Sequence, residues 1–227
     1  MGRVTEIYGQ PGVGKTQFCL QLCSNVQLPK SIGGLQAKCI FLDCEGGFSV
    51  QRLSQICQAT SNVAKTTDKS MKNVNLLNGV LYKRIEDISG LNTALDEIVA
   101  MNLNVKLLVI DSIAFHFRYP LISGNLPNVS SILQNISQKL NALAYQRSMA
   151  IIVTNQMTTR VPSQLGDLSE LIPALGESWS HSCSSSIGLN FTNNASVRKL
   201  NLVKSPFVKA NEARFVITED GIRDCLL

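Results

Sequence analysis

Residues 9 to 16 read GQPGVGKT and fit the pattern G-x-x-x-x-G-K-[ST], with Gly9, Gly14, Lys15 and Thr16 in its four fixed places. Few short patterns constrain a fold so tightly, because this octet works only as a turn from a strand into a helix. Both neighbours are legible. Val4, Ile7 and Tyr8 form a β-favouring run before it, and Phe18, Leu22 and Val26 recur every four residues after it, the stripe of a helix packed on a sheet. In such a turn successive backbone N–H groups and the helix N-terminus point at an anion. Gln10, Pro11, Gly12, Val13 and Gln17 complete the set that would face phosphate. Lys15 would reach the β- and γ-phosphates, and the Thr16 hydroxyl would ligate magnesium. The implied cofactors are ATP and Mg2+.

The rest of the chain alternates strand and helix patterns. Strands are expected at 38–43, 81–85, 106–111 and 150–154, with helices over 48–58, 91–101 and a long one through Ile132, Ile136, Leu140 and Leu143. Residues 60–79 are polar and basic and read as a surface loop with an irregular helix. Residues 157–180 carry Pro162, Gly166, Pro173 and Gly176 and read as a long mobile loop. The tail alternates like antiparallel strands at 187–191, 200–203 and 215–217. The fold expected is one α/β domain over residues 1–227, a mostly parallel sheet flanked by helices with an antiparallel C-terminal edge. At 227 residues the chain is long enough for a substantial core, and its 44% apolar and 16% charged residues are globular values.

A triphosphate-splitting site also needs carboxylates. Asp111 ends the most apolar strand after the loop, the Walker-B pattern, although a helix cap would look the same. Glu45, in LDCEGGF just past the second strand, could polarise a hydrolytic water or be a solvated turn residue. Gln156 closes the strand ending Thr154-Asn155 and could sense a γ-phosphate.

Together these segments resemble the ATPase core of the RecA-like recombinases, within them the eukaryotic strand-exchange branch and its C-paralogue group most of all. The residues carrying the resemblance are GQPGVGKTQFC, FLDCEGGFSVQRL, LLVIDSIAFHFR, IIVTNQMTTR, IPALGESWSHS, VKSP and GIRD, running from Gly2 to about Asp224. It implies that the Gln156 strand lies between the Gly9 and Asp111 strands. It also implies Glu45 as catalytic base, Asp111 as Walker-B carboxylate, Gln156 as γ-phosphate sensor and Arg52 as a guanidinium stacked on adenine, against the plainer reading of Arg52 as an exposed helix arginine. His181 falls beside the γ-phosphate of a neighbouring subunit, and Lys204 falls in the segment capping the neighbour's nucleotide. The recombinase proper has an acid where Lys204 stands, so the lysine could supply a cation in trans or be merely solvated. The start at Met1, eight residues before the loop, suggests that the family's N-terminal helical domain is absent, and filament formation from this core alone is not expected.

The DNA-gripping loops of the resemblance fall at 116–127 and about 157–178. The first holds one basic side chain, Arg118, and the second sets Arg160 against Asp167, Glu170 and Glu177. Phosphate contacts come mainly from Lys and Arg, so only weak contact with single-stranded or branched DNA is expected, through Arg118 and Arg160. The net charge of +5 permits an anionic partner without demanding one. Seven cysteines without a CxxC pair and two histidines argue against a zinc cage and for reduced thiols, and no run reaches transmembrane length, so no membrane partner is expected. The reading is a slow ATPase subunit of a nuclear hetero-oligomer of recombinase paralogues in homologous-recombination repair. Its rivals are a strand-exchange enzyme, a passive nucleotide-binding subunit and a small-molecule kinase, the last disfavoured by scattered arginines.

Overall fold

The computed structural model describes residues 2–117, 129–160 and 170–225. Nine strands form one sheet: β1 (Arg3–Gly9), β2 (Lys38–Asp43), β3 (Val80–Arg84), β4 (Val105–Asp111), β5 (Ala150–Asn155), β8 (Ser185–Phe191), β9 (Val197–Lys204), β10 (Asn211–Thr218) and β11 (Gly221–Asp224), in the order β11-β10-β9-β8-β1-β5-β4-β2-β3. From β8 to β3 every pairing is parallel, and from β8 outward through β11 every pairing is antiparallel. The expected placement of β5 between β1 and β4 is therefore observed. A separate hairpin joins β6 (Met157–Arg160) to β7 (Glu170–Pro173).

Helices cover both faces of the sheet, which is why its central strands read as unbroken apolar runs. Successive residues alternate between the two cores. Ile40, Leu42, Leu108 and Ile110 pack with Leu91, Leu95, Ile136 and Leu140 of α3 (Ile88–Ala100) and α4 (Val129–Arg147). Cys39, Phe41, Leu107 and Val109 pack with Cys19, Leu20, Leu53 and Ile56 of α1 (Lys15–Asn25) and α2 (Val50–Thr67). Beneath the glycine loop, the fully buried Glu6 of β1 accepts hydrogen bonds from Asn155 Nδ2 at 2.8 Å and Ser186 Oγ at 3.1 Å, joining β1 to β5 and β8. Burial pushes its pKa up, with those bonds acting in the opposite direction. No helix among the described residues is long and apolar enough to cross a membrane.

Three local expectations need correction. The buried face of α1 is Cys19, Leu20, Cys23 and Ser24, whereas Phe18 and Leu22 are only partly buried. The helix is rotated because its cysteines behave as small apolar residues, leaving Phe18 to meet Phe215 edge-on at 6.3 Å. Helix α2 runs to Thr67, not to Gln58, with Thr60, Ser61 and Ala64 buried. Small polar side chains there let α2 approach α1, and Gln21 Nε2 bonds Thr60 Oγ1 at 3.2 Å. Two 3₁₀ turns follow at Lys69–Asn73 and Leu76–Gly79, burying Met71 and Leu76. Finally, the described part of 157–180 is not loop but β6, β7 and the start of α5 (Gly176–Ser182). The expected antiparallel edge is observed from β8 through β11, with β11 as an added strand and β8 joined to β1 in parallel.

The rotated face of α1 can be tested. Leu20→Ala is expected to cost about 2–5 kcal/mol as a core truncation, and Leu22→Ala less than half as much. Urea unfolding midpoints would check this, and the reverse order would restore the Phe18/Leu22/Val26 stripe as the buried one.

Candidate nucleotide site

The glycine loop leaves β1 at Gly9, where a Cβ would lie 2.5 Å from the Leu189 carbonyl oxygen, so the loop can approach β8 only with glycine there. It enters α1 through Gly14 at φ +111°, a conformation that an L side chain would strain. Val13 is fully buried and anchors the loop to the core below. Helix α1 then begins with no capping side chain and no acid in its first turn, leaving its N–H groups and positive dipole end to be met by an anion. Lys15 Nζ lies along the loop, donating to the Gly9 carbonyl at 2.9 Å and the Gln10 carbonyl at 3.2 Å. Burial pushes its pKa down, opposed by the charges of Glu45 and Asp111.

Facing the loop are the ends of β2, β4 and β5, as is usual for ligand sites at the carboxyl ends of parallel strands. Asp111 is buried; its Oδ2 accepts from Thr16 Oγ1 at 2.6 Å and its Oδ1 from Thr154 Oγ1. Burial raises its pKa against those two bonds. Oε1 of Glu45 accepts from Ser112 Oγ and, at 2.7 Å, from Gln156 Nε2. Pro11, Gly12, Gly14, Lys15, Thr16, Gln17, Glu45, Asp111 and Gln156 line one cleft of ≈ 400 Å³. A larger groove of ≈ 770 Å³ between α1, α2 and β11 is mostly apolar and contains none of these groups. The small polar cleft, with its anion-seeking loop and two carboxylates, has the chemistry that the large groove lacks.

The donor set fits a nucleoside triphosphate with magnesium. A hydroxyl and a carboxylate are hard oxygen ligands that suit Mg2+ when phosphate oxygens and waters complete its octahedron. Among the described residues there is no group of three or more His, Cys, Asp and Glu to hold a metal without such help.

The other candidates are placed less simply. Arg52 on α2 donates to Gln17 Oε1 at 2.7 Å and to the carbonyls of Thr218 and Glu219, each at 2.6 Å, so its guanidinium edge is held by the β10–β11 turn. His181 is exposed on α5. Lys204, expected either to offer a cation in trans or to be solvated, is engaged within its own chain. Its Nζ donates to the carbonyls of Ser180, His181 and Cys183 at 3.0, 3.2 and 2.7 Å, capping the C-terminal end of α5 within its own chain. Arg118 lies outside the described residues, and Arg160 is placed only by the backbone of β6. The residue missed from the sequence is Asp43, buried at the end of β2. An Asp three residues ahead of a Gly-Gly turn, within reach of its amides, was the available signal.

Comparison with known proteins agrees with this geometry. The family model described as Rad51 matches residues 1–225. The DNA repair protein RAD51 homolog 3 of Cricetulus griseus is 35% identical over 98% of this chain and 63% of its own length. Its namesake in Dictyostelium discoideum is 34% identical over 98% of this chain and 60% of its own. The DNA repair and recombination protein RadA of Aeropyrum pernix is 32% identical over 97% and 66%. The chain thus spans about three fifths of the length of the RAD51 homolog 3 proteins it matches. With a loop, sheet order and acidic cleft of the RecA-like kind matched from end to end, the chain belongs to the Rad51 family.

Proposed function

We propose that this chain binds Mg-ATP in the cleft at the Gly9–Thr16 loop and hydrolyses it slowly, as one subunit of a nuclear hetero-oligomer of recombinase paralogues in homologous-recombination repair. The observation that carries this reading is the meeting of Lys15, Asp111, Glu45 and Gln156 in one cleft. When bound, magnesium supplies charge neutralisation on the phosphates. The loop N–H groups and the start of α1 hold the anion, and Lys15 exchanges its two loop carbonyls for phosphate oxygens. Thr16 and Asp111, hydrogen-bonded to each other at 2.6 Å, are the residues that would hold the metal. Glu45 orients the attacking water and takes its proton, while Ser112 and Gln156 fix the carboxylate's direction. Gln156 also reaches outward, since its carbonyl accepts the Ala174 N–H at 2.9 Å at the base of the β6–β7 hairpin. A change at Gln156 therefore has a backbone route to that hairpin. Arg52 offers its flat face to the adenine, and His181 stands toward a neighbouring subunit. DNA, single-stranded or branched, is held weakly through Arg118 and Arg160.

Lys15→Ala is expected to abolish tight nucleotide binding, measured by titration with a fluorescent ATP analogue; unchanged affinity would show that the loop is not the phosphate site. Glu45→Gln is expected to bind ATP as tightly as the parent and to turn it over at least about tenfold more slowly, since a general base contributes about 10²–10⁴ in rate. Parental turnover, alone and with partner subunits, would leave a passive nucleotide holder as the better reading. Single-stranded DNA binding should show a log–log salt slope near −1.5, from about two loop cations at roughly −0.7 each; a slope steeper than about −4 would reveal another basic surface.

A further inference from the structure

We propose that Asp43 is a positioning residue: it holds the turn after β2 in the place from which Glu45 reaches Ser112 and Gln156. The inference rests on the reading of Glu45 as the base only for its kinetic consequence. Asp43 is the last residue of β2 and is 2% exposed. Its Oδ1 accepts the Gly46 N–H at 2.7 Å and the Gly47 N–H at 3.3 Å, and its Oδ2 accepts the Phe48 N–H at 3.3 Å. Three successive amides thus converge on one carboxylate immediately after Glu45. On the entering side, the Cys44 and Glu45 N–H groups donate to the Asp111 carbonyl at 2.8 and 3.3 Å. Glu45 is therefore suspended between two anchors of its turn, the Asp111 carbonyl before it and the Asp43 side chain after it.

A buried carboxylate needs compensation, and β3 supplies it. Arg84 Nη1 lies 3.2 Å from Asp43 Oδ1, and the Tyr82 hydroxyl donates to Oδ2 at 3.3 Å. Tyr82 also packs on Phe48, with ring centroids 4.6 Å apart, so this one β3 side chain braces both the carboxylate and the far end of its turn. An asparagine at 43 would match the shape and fail chemically. Its NH2 would face either Gly46, Gly47 and Arg84, which are all donors, or the Phe48 N–H, also a donor, beside a Tyr82 hydroxyl that could turn to accept. Either way at least one amide of the turn loses its acceptor, and the rest bond to a neutral oxygen in place of a charged one.

The test compares Asp43→Asn, Glu45→Gln and the double variant with the parent, reading amide hydrogen exchange over 44–50, ATP affinity and turnover. Asp43→Asn is expected to speed exchange at Gly46–Phe48 by about tenfold or more, as for loss of bonds to a charged acceptor. It should leave ATP affinity near parental and lower kcat about 10–100-fold, the cost of misplacing a reacting group by about an ångström. In the Glu45→Gln background the same substitution should lower kcat no further, because the two act through one carboxylate. Unchanged exchange overturns the proposal, as does a full additional loss of kcat in the double variant. Parental turnover of Glu45→Gln alone sinks the base and leaves exchange to decide whether Asp43 holds the turn. Should Asp43→Asn not fold, exchange in the parent still decides: protection of the Gly46, Gly47 and Phe48 amides well above that of an unbonded turn supports the anchor, and exchange at the unprotected rate overturns it.

Discussion

Asp111 accepts one hydrogen bond from Thr16 at the first turn of α1 and another from Thr154 on β5, and it does so at the end of the central strand β4. Three elements separated in sequence meet on that carboxylate. Its backbone carbonyl, in turn, receives the two N–H groups that follow β2. The glycine loop, the Glu45 turn and the Gln156 strand end are therefore referenced to one buried residue, and the cleft is as rigid as the parallel sheet beneath it. Burying such a group is expensive unless its oxygens are satisfied. The hydroxyls that satisfy it are those a metal would displace or join.

A similar economy runs through the rest of the molecule. Polar side chains that would be costly to bury alone are spent holding backbone. Asp43 gathers three amides, Lys204 gathers three carbonyls at the end of α5, and Arg52 gathers two at the β10–β11 turn. Glu6 bridges β1, β5 and β8 below the loop. Of these, the Asp43 contacts bear directly on the cleft, through the turn that carries Glu45.

Where apolar periodicity and special residues agree, the sequence is enough. The octet at 9–16, the apolar run ending in Asp111 and the run ending in Asn155 leave little freedom for the sheet or for the residues at its edge. Elsewhere the pattern misleads for physical reasons. Cys19 and Cys23 outweigh Phe18 and Leu22 in the core because helix–sheet spacing rewards small side chains. Thr60 and Ser61 are polar by type yet buried, so α2 outlasts its apparent pattern. Lys204 shows the limit most clearly, since a lone lysine at a strand end carries no sequence signal for the helix terminus that three-dimensional folding brings beneath it. The resemblance identified the cleft's members; their hydrogen bonds to one another were not visible in it.

All seven cysteines are free thiols, and all but the half-buried Cys225 are enclosed. Cys44 and Cys183 lie in the core under α3 and α4, while Cys19, Cys23, Cys39 and Cys57 lie in the one under α1 and α2. Burial pushes Cys44 and Cys183 up to about 12, far from the thiolate form that reacts. An alkylating reagent must then wait for each face of the sheet to open. The chain thus carries a built-in clock for local unfolding on its two sides, with Cys225 as the fast internal reference.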